Sequence, residues 1–169
     1  MASVSSKPRP AKFWPTLGFA ALAGSRATSA PAFLSQYLSQ QALAPGLAGS
    51  PLRFLAKPGV ATALKFLIAG EFVGDKLPSS PNRIVPQQLG VRAASGALVG
   101  ATLYKAKGGR AASGALVGAL GAVAATYLTY YLRKGISEKT HTATSLVGGG
   151  EDALVLAGGA ALAKSLAKK

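Results

Sequence analysis

Between Arg110 and Arg133 the chain runs for 22 residues without a charge. Wound as a helix at 1.5 Å per residue, a run of that length reaches about 30 Å, the thickness of a bilayer's hydrocarbon core. Tyr127, Tyr130 and Tyr131 close it, in the place where an aromatic belt meets the membrane–water interface. The rest of the chain is consistent with that segment. Of its 169 residues 49% are hydrophobic and only 14% charged, with 21 glycines. Ordinary soluble domains carry about 25% charged residues. A Gly- and Ala-rich chain of this kind suits close helix–helix contact in lipid.

The formal net charge is +14. On a soluble protein that would point to nucleic acid. Here most basic residues flank apolar runs, as Lys105, Lys107 and Arg110 do, then Arg133, Lys134 and Lys139, and no aromatics interleave with them. Such charges anchor to phosphate headgroups, so the expected partner is a bilayer with anionic headgroups and not nucleic acid. With no cysteine in the chain, disulfides, thiolate metal sites and Cys nucleophiles are excluded.

Five apolar runs follow a flexible, basic, Pro-containing tail at 1–12. The first, 13–38, opens with Phe13 and Trp14 and holds one charge, Arg26. Its small residues before Pro31 also fit a signal-peptide cleavage site, but a retained helix is expected. A loop is expected over 39–51. The second run, 52–73, is interrupted by Lys65 and closed by Glu71, Asp75 and Lys76; Pro78, Pro81 and Pro86 then define an extended connection. The third, 88–104, and the fourth, 110–132, are joined by a tight link through Gly108-Gly109 and should form an antiparallel hairpin over 88–132. A polar loop is expected over 133–141. The last run, 142–166, contains Gly148-Gly149-Gly150 and Glu151-Asp152, and reads as a span, a broken helix or an interfacial segment. The expected fold is all-α: a polytopic transmembrane bundle of four or five helices, forming one membrane-embedded domain over 13–169.

An internal repeat lies within the hairpin. Residues 92–101 recur identically at 110–119. Each copy carries a small-xxx-small pair, Gly96 and Gly100 in the first and Gly114 and Gly118 in the second, with Gly121 extending the second. Missing side chains at i and i+4 let two helix backbones approach, so these glycines are expected to pack helices.

The ionisable residues within or beside the apolar runs are the remaining candidates. Glu71 and Asp75 share one helix face if the helix continues that far. Glu151 and Asp152 form the other acidic cluster, and Arg26 and Arg92 are the basic residues expected at membrane depth. Ionisable groups there pair with one another, line a wet cavity or mark an ion path. A bundle-locking network such as Arg26 or Arg92 against Glu71, Asp75 or Glu151 is the leading expectation. No metal and no cofactor are expected, since no Glu-x-x-His motif accompanies the carboxylates. The one histidine, His141, falls in a polar loop, and no nucleophile–base arrangement is visible.

With those residues in view, the chain resembles a family of small bacterial membrane proteins catalogued as domain-of-unknown-function family 4126. Four stretches carry the likeness: residues 23–32, residues 70–78, residues 92–100 with the preceding Pro81-Asn82-Arg83, and Glu151-Asp152-Ala153-Leu154. The resemblance implies a multi-pass protein of the bacterial inner membrane and no particular activity. It places Arg26, Glu71, Asp75, Lys76, Arg92, Glu151 and Asp152 within shared motifs. The expected role is non-enzymatic: a charged cluster that stabilises the bundle or lines a small ion or solute pathway. The alternative is a structural subunit, assembled with copies of itself or within a larger membrane complex.

Overall fold

A computed structural model of the chain describes residues 13–74, 84–140 and 144–167. Every regular element in them is helical. They are α1 (Phe13–Ser25), α2 (Ser29–Ser39), α3 (Pro45–Ala48), a 3-10 helix (Pro51–Ala56), α4 (Pro58–Gly74), α5 (Pro86–Ala106), α6 (Ala111–Thr140) and α7 (Thr144–Ala167). Four of these open on proline, whose missing N–H costs nothing in the first turn and whose fixed φ suits a helix start. The basic tail at 1–12, Asp75, Lys76 and His141 lie outside the described residues.

The α5–α6 hairpin is the best-packed part of the fold. α5 ends in a Schellman turn: Gly108 takes a left-handed φ of 73°, its N–H donates to Lys105 O at 3.0 Å, and Gly109 N–H donates to Tyr104 O at 2.7 Å. The chain then reverses. Gly96 faces Gly118, and Gly100 faces Gly114, so the two copies of the repeat meet antiparallel and reciprocally. A Cβ on any of these four would come closer than 3.0 Å to backbone of the opposing helix. Gly121 does not extend this contact. It faces Ala20 and Leu17 of α1 instead, and Ala122 continues the contact with Gly96 of α5.

The first apolar run is two helices and not one, and the second returns beside the first. Along α1, Gly18 meets Leu162 and Leu22 meets Gly158, so α1 is antiparallel to α7. Along α2, Phe33 meets Gly159 and the Tyr37 hydroxyl donates to Leu166 O at 3.0 Å, so α2 is parallel to α7. The chain therefore enters the bundle as α1, turns at residues 26–28, and leaves as α2 by the end at which it entered. We call that the near end. It also holds α3, whose Gly46 abuts the Lys105 carbonyl, the α5–α6 turn, and the C-terminus of α7. The core lies between these layers, with Phe19, Leu34, Leu47, Leu55 and Val99 fully buried.

Two further expectations are corrected and one open reading is narrowed. The loop at 39–51 contains α3. The polar stretch after Arg133 stays helical to Thr140, since it holds no proline and Gly135 alone weakens it. α7 is unbroken through Gly148-Gly149-Gly150, which excludes the broken helix among the three readings of the last run. Among the described residues one helix, over Ala111–Gly135, is by itself long and apolar enough to cross a membrane, with a shorter apolar stretch at Ala153–Leu166. Helix composition thus establishes an all-α fold with one candidate span, short of the four or five expected.

Candidate functional site: the tip of a re-entrant hairpin

The turn between α1 and α2 is Arg26-Ala27-Thr28, and it lies inside the bundle. α1 has 13 residues, so the turn sits about 20 Å from the near end. A helix break there leaves backbone donors and acceptors, buried or partly buried, without their helical partners, and each must find another. The break is located by Pro31. Placed in the first turn of α2, it is tolerated there, but it has no N–H to donate to the Ala27 carbonyl four residues back.

Three helices supply the missing partners. From α4, the Glu71 carboxylate accepts the Ala27 N–H through Oε1 and the Thr28 N–H through Oε2, both at 3.1 Å, and the Thr28 hydroxyl also donates to Oε2. Thr28 thus gives up the side-chain cap its position allows, and a carboxylate from another helix does the capping. The negative charge also sits favourably at the positive end of the α2 dipole. From α5, Arg92 Nη1 donates to the carbonyls of Gly24, at 2.7 Å, and Ser25, which close α1. The Ser95 hydroxyl donates to Ala27 O, the carbonyl that Pro31 leaves without its helical donor. From α6, the Thr126 hydroxyl is shared between Gly24 O, at 3.1 Å, and Ala122 O of its own helix, at 2.8 Å. Gly24 permits this approach: a Cβ there would collide with Ala122 O and Ala125 Cβ.

The electrostatics follow the same division. An anion meets the N-terminus of α2, and a cation meets the C-terminus of α1. Arg26 and Arg92 are each only 2% exposed, while Glu71 is half-buried. Among the described residues no group of three or more His, Cys, Asp or Glu stands close enough to hold a metal. The arrangement is suited to binding the peptide dipoles of the turn.

Of the candidates named from sequence, Arg26, Glu71 and Arg92 meet at this tip. Asp75 and Lys76 fall outside the described residues. Glu151 and Asp152 lie in α7, and the register of α7 against α1 puts residue 154 level with Arg26, so their backbone is within one turn of the tip. Gly96, Gly100, Gly114 and Gly118 lie at the α5–α6 contact, and Gly121 faces α1. Thr28 is a site residue that sequence reasoning missed. The signal that would have found it is the pair of small polar residues, Thr28 and Ser29, beside Arg26 and before Pro31.

The family model described as a domain of unknown function (DUF4126) matches residues 15–165, and the chain belongs to that family. No curated protein matches the chain. No solved structure matches it either.

Proposed function

We propose that this member of the DUF4126 family is a non-enzymatic, multi-pass membrane protein that passes a small ion or solute, with the hairpin tip as its closed constriction. In this reading α4, α5, α6 and α7 cross the bilayer and the α1–α2 hairpin enters and leaves by one face. Their 17, 21, 30 and 24 residues reach about 25, 31, 45 and 36 Å. The observation that carries the membrane assignment is the inverted polarity of the molecule. Arg26 and Arg92 are buried, whereas Phe66 is 74% exposed, Leu120 70% and Leu154 74%, on three different helices. Apolar surface spread around a bundle with two arginines inside it suits lipid and not water. Lys65 is exposed on α4, but it lies seven residues from the helix start, about 10 Å, within reach of a snorkelling side chain.

The pathway assignment rests on the broken helix. Non-helical backbone at membrane depth occurs where it is buried in protein or lines a wet cavity, and half-helix ends there bind ions and substrates. A continuous apolar helix would give a bundle the same cohesion without burying two arginines and half-burying a carboxylate, so their presence argues for use. Flux through proteoliposomes tests this. Wild-type protein should release small cations or anions faster than empty vesicles, and Glu71→Gln should change that rate or its selectivity. A second reading, an accessory subunit with a locked core, is favoured by how completely the tip's backbone groups are matched. Absence of flux in both wild type and Glu71→Gln would leave that reading standing, and a partner should then copurify with the protein from membranes.

A further inference from the structure

The re-entrant path changes how the charges divide between the two ends. At the near end the described residues include Arg53, Lys57, Lys105, Lys107, Arg110 and Lys164, while the far end has Arg133 and Lys134 together with Lys139 of the last turns of α6. The sequence contiguous with the near end, 1–12 and 168–169, adds five basic residues, and the 75–83 connection at the far end adds two. Among the described residues the near end has six basic residues against three. The acidic residues of the described helices (Glu71, Glu138, Glu151 and Asp152) lie at the tip or beyond it toward the far end, so none of them offsets the near-end charge. Had 13–38 crossed the membrane as one helix, the basic segments would have alternated between the faces and largely cancelled. The hairpin brings them to one side.

A second feature sits at the same end. A cleft of about 250 Å³ opens between α1, α7 and the α5–α6 turn, lined by Trp14, Pro15, Leu162, Leu166, Ser165 and Lys107. Its walls are mostly apolar, Trp14 is 73% exposed, and an exposed lysine stands at its edge. An acyl chain below an anionic headgroup has this distribution of chemistry: hydrocarbon against Leu162 and Leu166, indole at the interface, phosphate toward Lys107.

We propose that the near end is the cytoplasmic face, that the hairpin enters the membrane from the cytoplasm, and that this face binds anionic phospholipid headgroups, one of them at the Trp14–Lys107 cleft. This rests on the membrane reading above. Basic residues in short segments set orientation by remaining cytoplasmic, and the cytoplasmic leaflet carries a negative surface potential that attracts them.

Two properties of the chain make the test direct: it has no cysteine and a single tryptophan. Gln41→Cys places a thiol in the exposed segment after α2, at the near end, and Gln87→Cys places one in the exposed first turn of α5, at the far end. In intact bacterial spheroplasts an impermeant maleimide should label Gln87→Cys at once and Gln41→Cys only after permeabilisation. The reverse pattern would overturn the orientation. Labelling of both sites in membranes, or recovery of the protein in the soluble fraction, would overturn the membrane reading itself. For the lipid, Trp14 fluorescence is titrated with brominated phosphatidylglycerol and brominated phosphatidylcholine in nanodiscs. Phosphatidylglycerol should quench at about fivefold lower mole fraction, and Lys107→Gln should remove most of that preference. Equal quenching by the two lipids would overturn anionic-headgroup binding. Quenching by neither would place Trp14 outside the bilayer and count against the membrane reading.

Discussion

Pro31 has no N–H, Ser95 has a hydroxyl, and the carbonyl of Ala27 lies between them. At the scale of single residues the hairpin tip is built from such matched absences and gifts, and its energetics follow from what a substitution leaves behind. Arg92→Met would strand the carbonyls of Gly24 and Ser25 in a buried place, and removing one side of a buried charged contact costs about 3 kcal/mol or more. Glu71→Gln keeps an acceptor for one N–H and loses the charge, so we expect a smaller loss, about 1–2 kcal/mol. Ser29 is a control on the same turn: its hydroxyl is buried and finds no hydrogen-bond partner among the described residues. Ser29→Ala should leave stability unchanged or slightly raised. Denaturation of the three variants in detergent micelles should rank them Arg92→Met, Glu71→Gln, Ser29→Ala in order of decreasing loss; a large loss for Ser29→Ala would contradict this account of the tip.

At the scale of elements the internal repeat has two outcomes from one sequence. Gly96 and Gly100 meet Gly118 and Gly114 reciprocally, yet Arg92 is buried at the tip while its counterpart Arg110 is exposed in the turn. Ser95 likewise bonds the tip while Ser113 is exposed. Gly100→Leu or Gly114→Leu should force α5 and α6 apart and lower the midpoint of thermal unfolding. Gly70 and Gly135 lie in helices where an added Cβ would meet nothing within 4 Å. Gly70→Ala and Gly135→Ala should therefore gain up to about 1 kcal/mol each from helix propensity alone. The hairpin over 88–132 was legible in sequence because its signals are local, with glycines at i and i+4 and a Gly-Gly turn. The identity of Arg26, Glu71 and Arg92 as special was legible from the cost of charge in an apolar run. The turn between α1 and α2 was not, because Arg26, Thr28, Ser29 and Pro31 interrupt 13–38 without dictating that the chain reverses there. Its break depends on Glu71, Arg92 and Thr126, whose positions relative to residue 27 are fixed only by the tertiary fold.

At the scale of the whole molecule, the outward face of α6 distinguishes a lipid surround from water. Leu116, Leu120 and Leu128 are all more than 60% exposed and recur at helical spacing. On a protein surrounded by water, Leu120→Arg would be neutral or would improve solubility. At membrane depth it should cost about 2.5–3.5 kcal/mol of insertion free energy. We expect the variant to reach the membrane fraction in much lower yield than wild type, measured after alkaline carbonate extraction. Equal yield in the two would mean that this face meets something other than hydrocarbon.

The partners of the hairpin tip also lie far along the chain. Glu71 is 43 and 44 residues beyond the groups it binds, Arg92 is 67 and 68 beyond, and Thr126 is 102 beyond. A ribosome adding about 5–20 residues per second needs roughly 5–20 s to cover that last interval. During that time α1 and α2 have been made and the groups that complete their turn have not. In the membrane reading proposed above, the first hydrophobic segment to emerge is thus among the last to reach its final depth, and it waits at the membrane surface or at the insertion machinery while the four later helices assemble the cavity it enters.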